Sequence, residues 1–399
     1  MFGGFNLDKT YQFLIIALAF FLPLTVFGGN LIIVIICILW IISGEYKSKF
    51  NQIIKNKLML ASILFFCIHV FGLLWTDDLT WGLHIVHKMW YFIGLLPILY
   101  TLVKKEYIPY YLAAFLISIL LTEVISFLIW FEVIEPFKNA TLENPTPFMS
   151  HISFNPILAF SIYLVLHEVL INKKLSKVIL FCYSFFSISM VISMFITGGR
   201  AGQVVFFAMI VILIFQVFNK QKVKAILTIS IIVPTIFMTA YQSSYLFNQR
   251  VDEAISNVVM YSVNKDTSVG QRFSFIINSY DVIKLNPILG VGTGDFPAEY
   301  KKINQLNTPN LPDATNPHNM YILVLMQIGF LGLVSMLSIF YYQIKLSFNS
   351  TNRLLKDVGL ALPLLFLVMM LSDSYLLGHY TSLMFVFFSS FLYKDFEKN

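Results

Sequence analysis

The sequence predicts an all-α protein, a polytopic membrane bundle of about twelve transmembrane helices with one large loop on its outer face. Three observations carry that prediction. The 399-residue chain is 58% hydrophobic and only 12% charged, with a mean hydropathy of +0.77; a soluble chain carries roughly a quarter charged residues. Apolar runs of about 17–25 residues, long enough to cross a bilayer as helices, recur along its whole length. The basic residues gather in every second loop. Helices satisfy their own backbone within lipid, and the short alternating segments of a membrane β-barrel are absent.

The expected spans lie near 11–28, 29–43, 58–75, 83–103, 108–133, 153–171, 177–196, 201–218, 224–241, 319–344, 357–372 and 379–393. The first two are also compatible with a hairpin. Expected organisation is nine helices over 1–241, a loop region over 242–318 and three helices over 319–399, all in one integrated membrane domain. The positive-inside rule orients them. Segments GEYKSKFNQIIKNK, VKKEY, NKKLSK, NKQKVK, IKLSFNSTNRLLK and YKDFEKN, with Lys9, hold 18 of the 27 Lys and Arg. Both termini are therefore expected in the cytoplasm. The first run is retained as a span, since no small-x-small cleavage site follows it and its removal would spoil the alternation. The net charge of +6 then reflects orientation and not nucleic-acid binding. Cys37, Cys67 and Cys182 fall inside spans, as packing residues and not a disulfide framework or metal site.

The loop over 242–318 is long enough to need structure of its own. In VGQRFSFIINSYDVIKLNP, Phe273, Ile276, Ile277, Tyr280 and Ile283 follow helical spacing. Thr267 or Ser268 caps this helix and Asn286-Pro287 stops it. Such a helix suits the membrane surface. RVDEAISNVVMY, from Arg250, is a second amphipathic candidate. GVGTGDF follows, and Gly292 and Gly294 suggest a tight backbone turn close to a ligand. It is not the dinucleotide fingerprint, because the spacing differs and no βαβ unit surrounds it. The polar, proline-containing KKINQLNTPNLPDATNP reads as a mobile stretch leading to His318.

A few polar residues stand at the seams between loop and span. Arg200, in MFITGGRAGQVVFF, is either a snorkelling anchor or an anion ligand. Its small neighbours would let a large anion approach. Arg272 is either a solvated charge facing lipid headgroups or a bidentate phosphate ligand; together the two arginines could hold a pyrophosphate. His318, after Pro317, is expected in the first turn of the tenth span, as an amphipathic helix-start residue or a base near neutral pH. Lys88, with His84 and His87 on one helix face, either snorkels or binds a second anionic group. Asp373, between Ser372 and Ser374, either ends a helix or orients a histidine. Glu123 is mid-span and is expected to pair within the bundle, whereas His69 and His167 have no evident partner. His84 and His87 have no acidic cluster beside them to make a metal site.

The order of these features is more specific than any one of them. TGGRAG closes one span, QRFSFIINSYDVIKLNPILGVGTGDF fills the outer loop, and PHNMYILVLMQIGFLGLV opens the next. The series, between Thr197 and Val334, resembles the bacterial O-antigen ligase family, within the ligase and O-antigen polymerase superfamily. That resemblance implies a GT-C-like membrane glycosyltransferase of the bacterial inner membrane, working on the periplasmic face without a cofactor or metal. It implies a donor glycan on undecaprenyl pyrophosphate and a lipid A–core oligosaccharide hydroxyl as acceptor. It maps the donor-binding arginines to Arg200 and Arg272, the loop histidine to His318 and a late acidic residue to Asp373. The same signals fit an O-antigen polymerase or a protein O-oligosaccharyltransferase using the same donor. A transporter fits less well, since it would call for paired mid-membrane charges or inverted repeats.

Overall fold

The computed structural model describes residues 6–396, so the last residues of the basic tail YKDFEKN lie outside it. Regular structure among the described residues is helical: α1 (Leu7–Phe21), α2 (Val26–Ile42), α3 (Tyr46–Lys55), α4 (Lys57–Phe71), α5 (Leu79–Lys88), α6 (Leu96–Leu102), α7 (Ile108–Trp130), α8 (His151–Ile171), α9 (Lys177–Phe195), α10 (Arg200–Phe218), α11 (Lys222–Ser243), α12 (Tyr245–Val259), α13 (Ser268–Leu285), α14 (Phe296–Asn307), α15 (Met320–Asn349), α16 (Arg353–Met369) and α17 (His379–Leu392). A helix stands at each of the twelve expected places. By length and composition, however, eight helical segments among the described residues are able to cross a bilayer, or nine if α2 and α3 form one broken span. The apolar run over 11–28 overstates α1, because Pro23 sits in a turn that ends it and α2 starts afresh at Val26. At 15, 17 and 14 residues, α1, α16 and α17 are short for a span.

The chain forms two compact units. One contains the residues up to Ile36 and Lys104–Asp252; the other contains Cys37–Val103 and the chain from Glu253 onward. In the first, α8 is the central helix, with 72% of its apolar window buried, and α11 is the rim, with 11%. The α8–α10 packing is close because Gly202 faces Asn155, where a Cβ would stand 2.2 Å from the Asn155 Cβ. Glu123 is fully buried on α7, yet its carboxyl oxygens have no hydrogen-bond partner, so the expected pairing is not seen. Cys182 faces outward and is not packed, while Cys37 and Cys67 are half-buried.

In the second unit α4 packs along α15, and α17 packs on α6. The helix α15 is broken at Gly329, whose φ of +62° and ψ of −156° suit only glycine. Inside a membrane the opened backbone groups need partners, and the GVGTGDF turn with its preceding residues supplies them. Val291 N donates to Met326 O (2.8 Å), Gly292 N to Gln327 O (2.9 Å), and Phe330 N to Pro287 O (2.8 Å). At Gly290, with φ +71°, a Cβ would stand 2.4 Å from the Gln327 carbonyl carbon.

The chain before this turn forms α13, capped as expected by Thr267, whose side chain accepts from Gly270 N. Its buried face is Ser274, Phe275, Asn278, Ser279 and Val282. The apolar stripe of Phe273, Ile276, Ile277 and Tyr280 points outward instead, the disposition of a helix resting on lipid. The stretch after the turn is not loose. KKINQLN is the body of α14, and Asn304 Nδ2 donates to Leu311 O (3.0 Å) and Asp313 Oδ1 (3.1 Å). Asn278 on α13 donates to Thr308 Oγ1 (2.7 Å), tying α13 to the end of α14.

Candidate functional site

His318 ends the strap that leads from α14 into α15. It is not in the first helical turn: Asn319 is the N-cap, accepting from Tyr321 N (3.0 Å) and Ile322 N (3.2 Å), and the helix starts at Met320. Pro317 disfavours helix at Asn316, and asparagine outranks histidine as a cap. His318 is left-handed, with φ +51°, a conformation that costs a non-glycine residue on the order of 1–3 kcal/mol. Its neighbours hold it there. The His318 N–H donates to Asn316 Oδ1 (3.0 Å), and its ring stacks on Phe275 of α13, with centroids 6.1 Å apart. Met320 N donates to Met370 O (2.9 Å) and Asn319 Nδ2 to Leu371 O (3.2 Å), joining the strap to the end of α16.

That junction brings Asp373 beside the histidine. Asp373 Oδ2 stands 3.4 Å from His318 Nδ1. Its Oδ1 accepts from Asn316 Nδ2 (3.0 Å) and Ser374 N (2.7 Å), while Ser374 Oγ donates to Asn316 Oδ1 (2.9 Å). Burial pushes the Asp373 pKa up, but His318, the Ser374 N–H and the Asn316 amide outweigh it and hold the pKa below the usual carboxylate value. The 3.4 Å separation is ion-pair range, and Nδ1 is buried without a hydrogen-bond partner. Because the His318 side chain is still 41% exposed, the opposite edge of the ring is the open one. One ring edge against a carboxylate and the other open is the disposition of an oriented base.

Arg272 lies in the first turns of α13 and is exposed. Its charge reaches the Tyr375 hydroxyl. Burial raises the Tyr375 pKa to about 12, the Asp373 charge adds to that, and Ser372 and Arg272 oppose it. Arg272, Asp373 and Tyr375 are therefore neighbours, and His318 joins them through Asp373. Lys88 ends α5 with His87, half-buried, and shares no hydrogen bond or ion pair with that group. Gly292 and Gly294 are buried against this unit's own chain. A Cβ on Gly292 would stand 2.7 Å from Thr76 Oγ1, and one on Gly294 would stand 2.1 Å from Asp78 O. Asp295 fixes this arrangement by accepting from Asp77 N (2.9 Å) and Asp78 N (2.8 Å).

Arg200 belongs to the first unit, as the first residue of α10. Gly199, the N-cap, offers no side-chain cap, so the first N–H groups of α10 and the guanidinium lie at one helix end, a favourable setting for an anion. The TGGR turn is tightly held. Gly198 N donates to Asn144 Oδ1 (2.9 Å), and Thr197 Oγ1 donates to Asn155 Oδ1 (2.9 Å). Gly199 is small because Asn155 fills its Cβ space, 2.5 Å away. A Cβ at Gly198 would lie 3.7 Å from Arg250 Nε, so Arg250 of α12 is a second guanidinium beside this turn. Sequence reading treated Arg250 only as the start of an amphipathic helix and passed over Asn144, Asn316 and Tyr375. Asn316 alone carried a signal, an asparagine before proline at a turn.

The second unit thus holds a histidine paired with a carboxylate and an exposed arginine on α13, and the first unit holds two arginines at the TGGR turn. Comparison with known proteins adds to this. Residues 185–337 match the family model described as O-antigen ligase, and over that stretch the chain is similar to that family. The match includes Arg200, Arg250, Arg272, Gly292, Gly294 and His318; Lys88 and Asp373 lie outside it. A Haemophilus influenzae protein, described only as uncharacterized, is 29% identical over 208 residues, 49% of this chain and 51% of that protein. The chain spans about half the length of this curated relative.

Proposed function

We propose that the protein is an O-antigen ligase: a glycosyltransferase of GT-C-like type, in the bacterial inner membrane, with both termini cytoplasmic and the site on the periplasmic face. Twelve spans, some of them short, are part of that proposal. The donor is a glycan on undecaprenyl pyrophosphate and the acceptor a sugar hydroxyl of the lipid A–core oligosaccharide, both carried in the membrane. The observation that carries the reading is the His318–Asp373 pair, 3.4 Å apart, with His318 inside the stretch that matches the O-antigen ligase family model.

In this mechanism the open edge of His318 takes the proton of the acceptor hydroxyl as its oxygen attacks the anomeric carbon. Asp373 orients the ring and stabilises the imidazolium that forms. The bond from the anomeric carbon to phosphate breaks, its electron pair leaves with the pyrophosphate, and direct attack inverts the anomeric centre. Arg272 and Arg200 are donor-phosphate ligands that stabilise the charge building on the leaving group. Lys88 is a further contact for an anionic substrate group. Gly292 and Gly294 contribute by letting the loop dock closely against the segment between α4 and α5. No step requires a metal or cofactor.

The test is the lipopolysaccharide profile of a deletion strain. Loss of long chains with accumulation of lipid-linked polymer supports ligation. A core bearing a single repeat unit would identify a polymerase instead, and an unchanged profile with loss of protein-linked glycan would identify a protein O-oligosaccharyltransferase.

A further inference from the structure

The TGGRAG segment of the first unit is a socket for one side chain. Asn155 lies on α8 and is fully buried. Its Oδ1 accepts from Thr197 Oγ1 (2.9 Å), and its Nδ2 donates to Gly199 O (3.4 Å). The glycines on either side of Arg200 are small because of it. A Cβ on Gly199 would stand 2.5 Å from Asn155 Nδ2, and one on Gly202 would stand 2.2 Å from Asn155 Cβ. From the sequence these small residues leave room for an anion beside Arg200; in the structure Asn155 takes that room. Two further amides close the turn. Asn144 Oδ1 accepts from Gly198 N (2.9 Å), and Gln203 Nε2 donates to Thr197 O (3.0 Å). Burying an amide costs free energy that burying an alanine or leucine does not, so the packing of α8 on α10 does not by itself call for asparagine. What asparagine adds is the two hydrogen bonds, one on each side of Gly198, to the residues that lead into Arg200.

We propose that Asn155 is the positioning residue for Arg200: it fixes Thr197 and Gly199 so that the guanidinium is rooted at the N-terminus of α10 where donor phosphate binds. The inference rests on the reading of Arg200 as a donor-phosphate ligand. A two-pronged grip on phosphate depends on angle as well as distance, and the guanidinium ends a flexible stem, so its root must be held still. Two successive glycines, Gly198 and Gly199, would otherwise make that root pliable. Asn155 restrains it from a different helix. An aspartate there would accept from Thr197 but could not donate to Gly199 O, and a leucine would do neither. Asn155 touches no substrate in this account and acts through Arg200.

The test is a double-mutant cycle on the full chain in detergent, with undecaprenyl pyrophosphate, free of glycan, as the probe and its affinity as the readout. Asn155→Ala and Thr197→Val remove the same hydrogen bond from opposite sides. Each should weaken the probe about tenfold, within the range of coupling between contacting residues. Thr197→Ser, which keeps the hydroxyl, should bind as the native chain does. In an Arg200→Ala background neither Asn155→Ala nor Thr197→Val should weaken the probe further, because no guanidinium is left to place. A merely structural role for Asn155 would weaken the probe by the same factor with or without Arg200. That additive result would overturn the proposal, as would native affinity in both Asn155→Ala and Thr197→Val. Should Asn155→Ala yield no folded protein, Thr197→Val, alone and in the Arg200→Ala background, decides. A native chain that does not bind the probe, or an Arg200→Ala variant that binds it as the native chain does, would overturn the reading of Arg200 as a phosphate ligand and this proposal with it.

Discussion

Replacing Gly329 by alanine should strain the break in α15 and destabilise the protein. Gly329 has φ +62° and ψ −156°, a region that costs a residue with a Cβ on the order of 1–3 kcal/mol. The new methyl would stand 2.4 Å from both the carbon and the oxygen of the Ile288 carbonyl, so the backbone must part there. Parting them breaks Phe330 N to Pro287 O and Leu331 N to Ile288 O, at about 1 kcal/mol each. The sum is about 3–5 kcal/mol. Gly44→Ala is the control. Its φ is also positive, +66°, but nothing lies within 4 Å of its Cβ position, leaving only the handedness cost of about 1–2 kcal/mol. Thermal unfolding of the two variants in detergent, followed by gel filtration of the surviving fraction, separates them: Gly329→Ala should melt several degrees below Gly44→Ala. Equal melting temperatures would show that the break in α15 does not depend on the docked turn.

Other predictions follow from the same structure. In a cysteine-free background, Ser48→Cys and Lys222→Cys should resist an impermeant thiol reagent applied outside, while Lys265→Cys and Gln305→Cys should label; outside labelling at 222 would contradict the proposed topology. Arg200→Lys and Arg272→Lys keep the charge but lose the two-pronged grip on phosphate, and each should lower transfer by about tenfold or more at unchanged expression; full activity in both would leave the arginines as anchors. The Asp373 pKa is held below its ordinary 3.8, so its stabilising contribution is complete above the unfolded-state value and is lost as pH falls through the lower folded value. Melting temperature should therefore drop below about pH 4, and Asp373→Asn should melt lower at neutral pH with that acid limb reduced; identical acid limbs would remove Asp373 from the pairing with His318.

Much of this architecture was legible in the sequence because hydrocarbon imposes long apolar runs, and a helix was expected at each of the twelve places. The helix bounds were less legible, because an apolar run does not show where a turn such as that at Pro23 divides it. The helix of the outer loop and its Thr267 cap were readable from spacing, but its buried face was not. Periodicity finds the apolar stripe, and in α13 that stripe faces outward while Ser274, Asn278 and Ser279 are covered. His318, Asp373, Arg272 and Arg200 stood out as lone polar groups at seams. Asn316 did not, because it meets Asp373 only through the strap's hydrogen bonds to the end of α16, more than fifty residues away in sequence. The glycines of GVGTGDF suggested room for a ligand, whereas the nearest atoms belong to Gln327, Asp295 and Asp78; a sequence does not reveal which surface a glycine faces.

The most direct measurement concerns His318 as the base. His318→Gln preserves a hydrogen-bonding side chain of similar size but has no useful basicity. In purified protein given lipid-linked glycan and acceptor, with donor binding and turnover measured separately, this variant should bind donor nearly as well as the native chain and turn over about 10²–10⁴-fold more slowly. Normal turnover by His318→Gln would contradict the assignment and leave His318 as a positioning residue, with the base to be sought at Asp373.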